Sequence, residues 1–171
     1  MAPARPYFFC GIGGSGMLPL SLIVKARGHA VSGSDRALDQ GRLAEKFDYL
    51  RRAGIALYPQ DGSGVTNPDT IVVTSAAVEG TIPDVGAAKR IGATLMLRAE
   101  LLSQLFNESP NAIGVAGTSG KSTTTGMIGW ILSDCGLDPT VMNGAVMINF
   151  ATPDAPFASA LVGKGDLFVS E

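Results

Sequence analysis

The chain has 171 residues, with 13 Lys and Arg against 15 Asp and Glu, and a formal net charge of −2. Its 46% hydrophobic and 16% charged residues can fill a core, which excludes a disordered chain, and the lack of excess positive charge argues against a nucleic-acid partner. The 22 glycines favour an open α/β sheet with ligand-binding turns, in one or two domains.

The first predicted element lies in an uncharged stretch. Residues 7–24 carry no charge over 18 positions, which imitates a signal peptide or a membrane span. Four Gly and one Pro within the stretch argue against a spanning helix. We therefore predict a strand at 6–10, a turn and a helix at 15–27, and no membrane partner.

Short β-branched or aromatic runs then alternate with helical patterns, which is typical of an α/β fold with a parallel sheet. A run that is apolar on both faces, at 69–77, is typical of a buried parallel strand. This first unit, residues 1–107, is predicted to be a Rossmann-like domain. Its further strands are predicted at 29–35, 55–59, 69–77 and 93–97, and its further helices at 40–53, 83–91 and from 98 onward.

A polar, proline-containing segment at 107–111 marks the predicted domain boundary. The second unit, residues 111–171, has predicted strands at 112–117, 138–142 and 166–171, with one helix ending near Cys135. The region 143–164 is predicted to be a long loop or two short elements. About three strands are fewer than a sheet normally has, so we expect the unit to be the start of a P-loop ATPase domain from a longer enzyme.

The chain has two cysteines, Cys10 and Cys135, and one histidine, His29. These are too few ligands for a tetrahedral zinc site. Both cysteines lie in apolar runs, so we predict that they are small buried residues of a protein in a reducing compartment. The predicted location is the cytoplasm.

A first glycine-rich loop matches G-x-G-x-x-G between a predicted strand and a predicted helix, where main-chain N–H groups and the helix N-terminus can bind a pyrophosphate. Asp35, at the end of the second strand, is placed to accept a hydrogen bond from a ribose hydroxyl. Alone, this pattern also fits a nicotinamide-dependent oxidoreductase. The loop consists of Gly11, Ile12, Gly13, Gly14, Ser15 and Gly16.

A second loop, AGTSGKST at 116–123, follows the strand at 112–117 and opens a helix. The sequence Gly120-Lys121-Ser122 is typical of loops that bind ATP: N–H groups surround the phosphates, the lysine adds a charge, and the serine hydroxyl can bind Mg²⁺. The first glycine of the usual pattern is displaced by one residue, to Gly114. An oxidoreductase has no use for this second loop, whereas an ATP-dependent ligase acting on a nucleotide-linked substrate needs both.

The motifs GIGGSGM, SGSD, VVTSAAV, RAELL, AGTSGKSTTT, GLDPT and FVSE follow one another along almost the whole chain. In this order they resemble the Mur ligases of peptidoglycan synthesis, most closely those that add alanine. The resemblance implies three domains: one for the UDP-sugar, a central ATPase domain and a C-terminal domain that recruits the amino acid. This chain would hold the first domain and about a third of the second.

The resemblance also implies site residues. The first loop would bind the UDP pyrophosphate, Asp35 would lie near the nucleoside, and Ser75, Ala76 and Arg98 would line the UDP-sugar site. Lys121 would stabilise charge on the transferred phosphoryl group, and Ser122 with Glu171 would hold Mg²⁺. The ATP site would comprise Gly117, Thr118, Ser119, Gly120, Lys121, Ser122 and Thr123.

The implied reaction uses ATP to activate the carboxylate of UDP-N-acetylmuramate as an acyl phosphate, which L-alanine then attacks. Ser119 stands where alanine-adding members usually have histidine, and NGAVMINF replaces a more glycine-rich continuation. These departures leave open a murein tripeptide ligase or a divergent paralogue acting on the same acceptor. Outside the ligases, the nicotinamide-dependent oxidoreductase and a non-catalytic nucleotide sensor also stay open. The chain alone is expected to be inactive.

Two further patterns favour structural roles. Glu45, Lys46 and the pair at 51–52 are typical of a solvated helix face, and no role is predicted for them. The threonines at 123–125 fit either a first helical turn or a nucleotide contact. Five apolar residues of the second-loop helix are predicted to pack against the sheet, namely Met127, Ile128, Trp130, Ile131 and Leu132.

Overall fold

A computed structural model describes residues 5–75 and 82–171. Its first sheet has five parallel strands in the order β3-β2-β1-β4-β5, with helices in each connection except the one from β3 to β4. This confirms the α/β class and the Rossmann-like parallel sheet. The strands are β1 (Tyr7–Cys10), β2 (Val31–Ser34), β3 (Ala56–Tyr58), β4 (Ile71–Thr74) and β5 (Thr94–Leu97).

The helices of this unit follow the prediction except after β2. In place of one helix at 40–53, a single turn capped by Asp35 comes first, and the longer helix begins only at Ala44. Gly41 and Leu43 both have positive φ, which interrupts the helical path between the two. The helices are α1 (Met17–Ala26), α2 (Arg36–Asp39), α3 (Ala44–Arg52), α4 (Pro83–Ile91) and α5 (Arg98–Glu108).

A second sheet has four strands in the order β6-β9-β7-β8. The three predicted strands are present and parallel, and the region 143–164 contains two short elements, a 3₁₀ turn at Ile148–Phe150 and the antiparallel strand β8. One long helix, α6 (Lys121–Asp134), follows the second loop. The strands are β6 (Asn111–Gly114), β7 (Thr140–Met142), β8 (Ala160–Leu161) and β9 (Leu167–Ser170).

The hydrophobic core continues from one sheet to the other. Strands β1 and β4 are buried along their whole length. Met142 and Phe168 of the second sheet belong to the same buried cluster as Leu20 and Ile23 of α1, and Phe168 meets Phe106 of α5 edge to face at 6.2 Å between ring centroids. The second sheet therefore packs against α1 and α5 of the first unit. The domain limits 1–107 and 111–171 stay a prediction.

The prediction that five apolar residues of α6 pack against the sheet is wrong for three of them and confirmed for two. Met127, Trp130 and Ile131 are 62%, 45% and 58% exposed, whereas Thr125 and Gly129 are buried. A Cβ added at Gly129 would lie 2.9 Å from Val141 Cγ2, so α6 meets the sheet through its small residues. Of the five predicted core residues, only Ile128 and Leu132 pack against the buried cluster of this sheet.

The two cysteines differ. Cys10 is buried in β1, as predicted, and burial raises the pKa of its thiol to about 12. The prediction for Cys135 is wrong: it is exposed, because it caps the end of α6 beyond the sheet. No helix in the described ranges is long and apolar enough to cross a membrane, and the uncharged stretch at 7–24 forms β1, a loop and most of α1.

Candidate functional site

The two phosphate-type loops open onto one cavity of about 500 Å³ between the sheets. Residues from the first loop line one wall, and Lys121 and Ser122 at the end of the second loop line the other. The parallel strands of both sheets direct their carboxyl ends toward it, which is where open α/β sheets bind ligands. The lining residues are Cys10, Gly11, Gly14, Ser15, Gly16, Met17, Ser75, Arg98, Lys121, Ser122, Met142, Gly144 and Glu171.

The first loop is fixed by main-chain hydrogen bonds. The N–H groups of Gly11 and Ile12 both donate to the carbonyl of Ser34, at 2.8 and 3.0 Å. Gly11 has φ +74°, a conformation that favours glycine. In the described ranges, the N–H groups of Ser15 and Gly16 have no main-chain acceptor. They precede α1, so two free donors and the helix N-terminus face the cavity together.

Arg98 supplies a positive charge at the same place. It is the first residue of α5, and its side chain lies over Gly16: a Cβ added there would be 3.0 Å from Arg98 Nη1. The N–H of Leu97 donates to Glu100 Oε2 at 2.7 Å, which fixes the start of α5. Guanidinium and helix N-terminus thus converge on one anion-binding position.

Asp35 stabilises the first loop instead of lining the cavity. Its Oδ2 accepts a hydrogen bond from Gly13 N and its Oδ1 accepts one from Ala37 N, both at 2.8 Å. The carboxylate therefore joins the glycine-rich loop to the N-terminus of α2. A ribose contact would have to use the remaining lone pairs, and it stays a prediction.

The second loop is more open. Its residues 116–120 are exposed, and Gly117 and Gly120 have φ of +149° and +77°. Lys121 Nζ donates to the carbonyl of Gly117 at 2.9 Å, across the mouth of the loop. Lys121 also begins α6, so its ammonium group and the helix N-terminus face the same phosphate position.

Ser122 and Glu171 meet at the edge of this loop. Ser122 Oγ lies 2.8 and 3.0 Å from the two carboxylate oxygens of Glu171, and Gly144 N donates to Oε1 at 2.5 Å. Glu171 directly follows β9, which pairs in parallel with β6, the strand that leads into the loop. A hydroxyl and a carboxylate are oxygen ligands of the type that Mg²⁺ uses while it keeps several waters. These residues fit that ion.

Not all predicted site residues line the cavity. The side chain of Ile12 is buried in the core, and Gly13 and Asp35 bond to each other. Ala76 lies outside the described residues. Thr123 lines a second cavity of about 310 Å³ beside α6, while Thr125 is buried and belongs to the packing of α6. The remaining second-loop residues, Gly117, Thr118, Ser119 and Gly120, lie outside the walls of the main cavity.

Sequence reasoning missed four lining residues: Cys10, Met17, Met142 and Gly144. Gly144 carried a recognisable signal, since Asn143-Gly144 directly follows a strand. A Cβ at Gly144 would overlap Glu171 Oε1, so only glycine leaves the carboxylate in place. Asn143 is buried and donates from Nδ2 to the carbonyl of Ser122 at 2.9 Å, which ties this turn to the second loop.

A buried carboxylate bonds to Ser34, the residue whose carbonyl accepts the hydrogen bonds of the first loop. Asp84, in the first turn of α4, accepts hydrogen bonds from Ser34 Oγ at 2.5 Å and Gly62 N at 2.9 Å. Burial raises its pKa, against the lowering effect of these two bonds.

The cavity itself presents N–H donors and cations to phosphate groups, an arrangement suited to positioning and charge stabilisation.

The chain is similar to known proteins along nearly its whole length. Residues 6–109 match the model of the Mur ligase family, catalytic domain. A UDP-N-acetylmuramate–L-alanine ligase from a Synechococcus strain is 40% identical over 165 residues, which are 96% of this chain and 32% of the relative. The chain thus spans about a third of the length of such curated relatives.

Solved structures have the same fold. The UDP-N-acetylmuramate–alanine ligase of Thermotoga maritima superposes with a TM-score of 0.82 at 27% identity, over 97% of this chain and 36% of that one. A murein peptide ligase of Psychrobacter arcticus gives 0.81 at 26% identity, over 98% and 37%. Since the family model covers more than half of the residues and the motifs occupy the cavity walls, the chain belongs to the Mur ligase family.

Proposed function

We propose that this chain is the UDP-sugar-binding and ATP-binding part of a ligase that joins L-alanine to the carboxylate of UDP-N-acetylmuramate, in the synthesis of peptidoglycan precursors. The observation that carries the proposal is the shared cavity, onto which both phosphate-type loops open. Two nucleotides bound there would have their phosphate groups on facing walls. The proposed location is the cytoplasm, where both nucleotides are available.

The first wall receives the UDP-sugar. The free N–H groups of Ser15 and Gly16, with Arg98, bind the pyrophosphate. Ser75 lines the sugar side, where the family resemblance also implies Ala76, and Asp35 holds the loop near the nucleoside. The whole first unit, residues 1–107, acts as the UDP-sugar domain.

The second wall receives ATP. The phosphates lie at the edge of the cavity, where the N–H groups of residues 117–120, beside it, and of residues 121–123 surround them. Lys121 moves from the carbonyl of Gly117 to the phosphoryl oxygens. Residues 111–171 act as the incomplete ATP-binding domain. Ser122 and Glu171 hold Mg²⁺, which when bound neutralises charge on the phosphates.

The chemistry proceeds in two balanced steps. A carboxylate oxygen of the muramate attacks the γ-phosphorus of ATP, so that ADP leaves and an acyl phosphate forms. The amino group of L-alanine then attacks the acyl carbon and the C–O bond to the phosphate breaks, so that the amide forms and inorganic phosphate leaves with the proton that the amine loses. The residues on both walls hold the reacting groups in line and Lys121 stabilises the transferred charge, which is positioning and electrostatic catalysis.

The chain alone lacks the length of a complete ligase of this family. The curated relatives are about three times as long, and the step with L-alanine needs an amino-acid site. We therefore propose that these 171 residues bind both nucleotides without forming the amide. A murein peptide ligase acting on the same acceptor is the second candidate, because the Psychrobacter enzyme superposes as well as the alanine ligase does.

Thermal unfolding of the chain with separate ligands tests the proposal. The samples contain UDP-N-acetylmuramate, Mg²⁺-ATP or NADH, each at about 100 times the expected dissociation constant, where binding adds about 2.7 kcal/mol to the free energy of unfolding. We expect stabilisation by the first two and none by NADH. Stabilisation by NADH alone would replace the ligase with an oxidoreductase. Adding L-alanine or the tripeptide to the longer enzyme and measuring phosphate release separates the two ligase candidates.

A further inference from the structure

Lys46 of α3, for which the sequence predicts only a solvated position, reaches the first glycine-rich loop. Its Nζ donates a hydrogen bond to the carbonyl of Gly13 at 3.0 Å, and the side chain is half-buried. It lines a small cavity of about 90 Å³ that adjoins the main one, because Gly14 and Ser15 line both. Lys46 therefore contacts the loop from α3, whereas Arg98 contacts it from α5.

The second unit holds Lys46 in this position. Lys46 Nζ lies 5.8 Å from the ring centroid of Phe157, a residue in the segment between the 3₁₀ turn and β8. That ring also packs on Tyr49, one turn further along α3, at 5.9 Å between centroids. A cation over an aromatic face is stabilised by the ring electrons. The lysine is thus enclosed between its own helix and a residue of the second unit.

The negative charge of Asp35 beside the loop indicates what the positive charge of Lys46 does there. Asp35 bonds to Gly13 N, so a carboxylate lies directly beside a loop that would receive a pyrophosphate. Like charges at short distance repel, and Arg98 alone would only balance Asp35. Lys46 bonds to the carbonyl of the same Gly13 and so places a compensating positive charge on the loop.

We propose that Lys46 is a further cationic residue of the first phosphate site, which offsets the charge of Asp35 and favours a nucleoside diphosphate, and that Phe157 holds it there. The inference rests on the proposed function, because it concerns the same UDP-sugar site. It adds one residue from α3 and one from the second unit to that site.

The test is calorimetric binding of UDP, and separately of Mg²⁺-ATP, to the 171-residue chain and its variants. Lys46→Met removes the charge and keeps the aliphatic stem over Phe157. Lys89→Met is the matched control, since it removes the same charge from an exposed position near the end of α4. We expect Lys46→Met to weaken UDP binding roughly tenfold and to reduce its salt dependence, with ATP binding unchanged. Lys46→Arg restores most of the affinity, and Phe157→Ala loses part of it.

The outcomes separate the two proposals. If the unmodified chain binds no UDP, the proposed function is wrong and the role of Lys46 with it. If the chain binds UDP and Lys46→Met behaves like Lys89→Met, the function stands and the inference is overturned. Equal losses of UDP and ATP affinity also overturn it, because they indicate general damage. The unfolding midpoint of each variant without ligand identifies such damage, and Lys46→Arg gives a second folded variant for the comparison.

Discussion

The two phosphate-type loops use similar residues but are supported differently. In the first, Gly11, Ile12, Gly13 and Gly14 all donate main-chain hydrogen bonds within the chain, and the side chain of Ile12 is part of the core. In the second, residues 116–120 are exposed, and the lysine that follows them bonds to the loop's own carbonyl. One loop is shaped by the packing beneath it, while the other is exposed, so that a ligand can reach it.

This difference predicts where substitutions act. A change beneath the first loop should lower the free energy of unfolding, because the loop and the core share hydrogen bonds and packing. A change in the second loop should lower ligand affinity and leave the unliganded chain as stable as before. Measuring stability and affinity on the same variants tests both halves of the comparison.

The largest expected effect is on ATP binding. Lys121→Ala removes the ammonium group that would bond to phosphoryl oxygens, and a hydrogen bond to a charged group contributes about 1.5–3 kcal/mol, which corresponds to roughly 10- to 150-fold in affinity. Titration calorimetry with Mg²⁺-ATP measures it, and Lys164→Ala, at an exposed position of the same unit, is the control. A variant that binds ATP normally, or that unfolds more easily without ligand, would show that the second loop is not a free binding loop.

The next effect concerns stability. A Cβ at Gly33 of β2 would lie 2.6 Å from the carbonyl oxygen of Phe9 and 2.8 Å from Ile12 Cδ1, so Gly33→Ala must displace β1 or the side chain beneath the first loop. Overpacking of this kind costs about 1–3 kcal/mol. Urea denaturation measures the change. An unchanged midpoint would mean that the first loop is supported independently of the core.

A third effect depends on pH. Burial raises the pKa of Asp84, so its ionisation is less favourable in the folded chain than in the unfolded one. The stability associated with its neutral form is complete below the ordinary pKa of 3.8 and is lost as pH rises through the raised value. The free energy of unfolding of Asp84→Asn, minus that of the unmodified chain, should therefore increase from about pH 4 upward and then level off.

The same measurement tells whether the hydrogen bonds to Asp84 or its burial has the larger effect on its pKa. A difference that falls with pH would mean that Ser34 and Gly62 stabilise the carboxylate more than burial disfavours it. The isosteric amide keeps the shape of the side chain, so the slope with pH reports on the charge. Gln40→Glu, at an exposed position, is a control for changes in net charge.

The sequence predicted the elements well because their signals are local. Alternating strand and helix patterns, and glycines such as Gly28 and Gly92 after helices, depend on a few neighbouring residues. The interruption between α2 and α3 was missed although Gly41 favours a positive φ, because it also rests on a positive φ at Leu43, which no residue preference indicates. The exposed face of α6 was also missed, because the contact of Gly129 with Val141 becomes visible only when the helix is placed on the sheet.

In the candidate site, too, the sequence predicted what depends on neighbouring residues and missed what depends on packing. Both loops are continuous motifs, so the sequence identified them, and the meeting of Ser122 with Glu171 was expected only from the family resemblance. Lys46 is distant in sequence from the loop that it contacts, and Met142 and Gly144 are distant from the first loop, with which they line one cavity. Their roles depend on how the two sheets pack, which a pattern along one chain does not contain.

The smallest predicted effect is opposite in sign and serves as the control for Gly33→Ala. Gly86 lies exposed within α4, has ordinary helical φ, and a Cβ added there would meet nothing within 4 Å. Glycine loses more backbone freedom than alanine on folding, so Gly86→Ala should raise the free energy of unfolding by about 0.5–1 kcal/mol. In a chain of this size that shift raises the unfolding midpoint by a few degrees, about 1–4 °C, and leaves affinity for both nucleotides unchanged. If Gly86→Ala destabilises the chain as Gly33→Ala does, any added methyl group in the first unit lowers its stability. The inference that the first loop depends in particular on its packing against β2 would then be wrong.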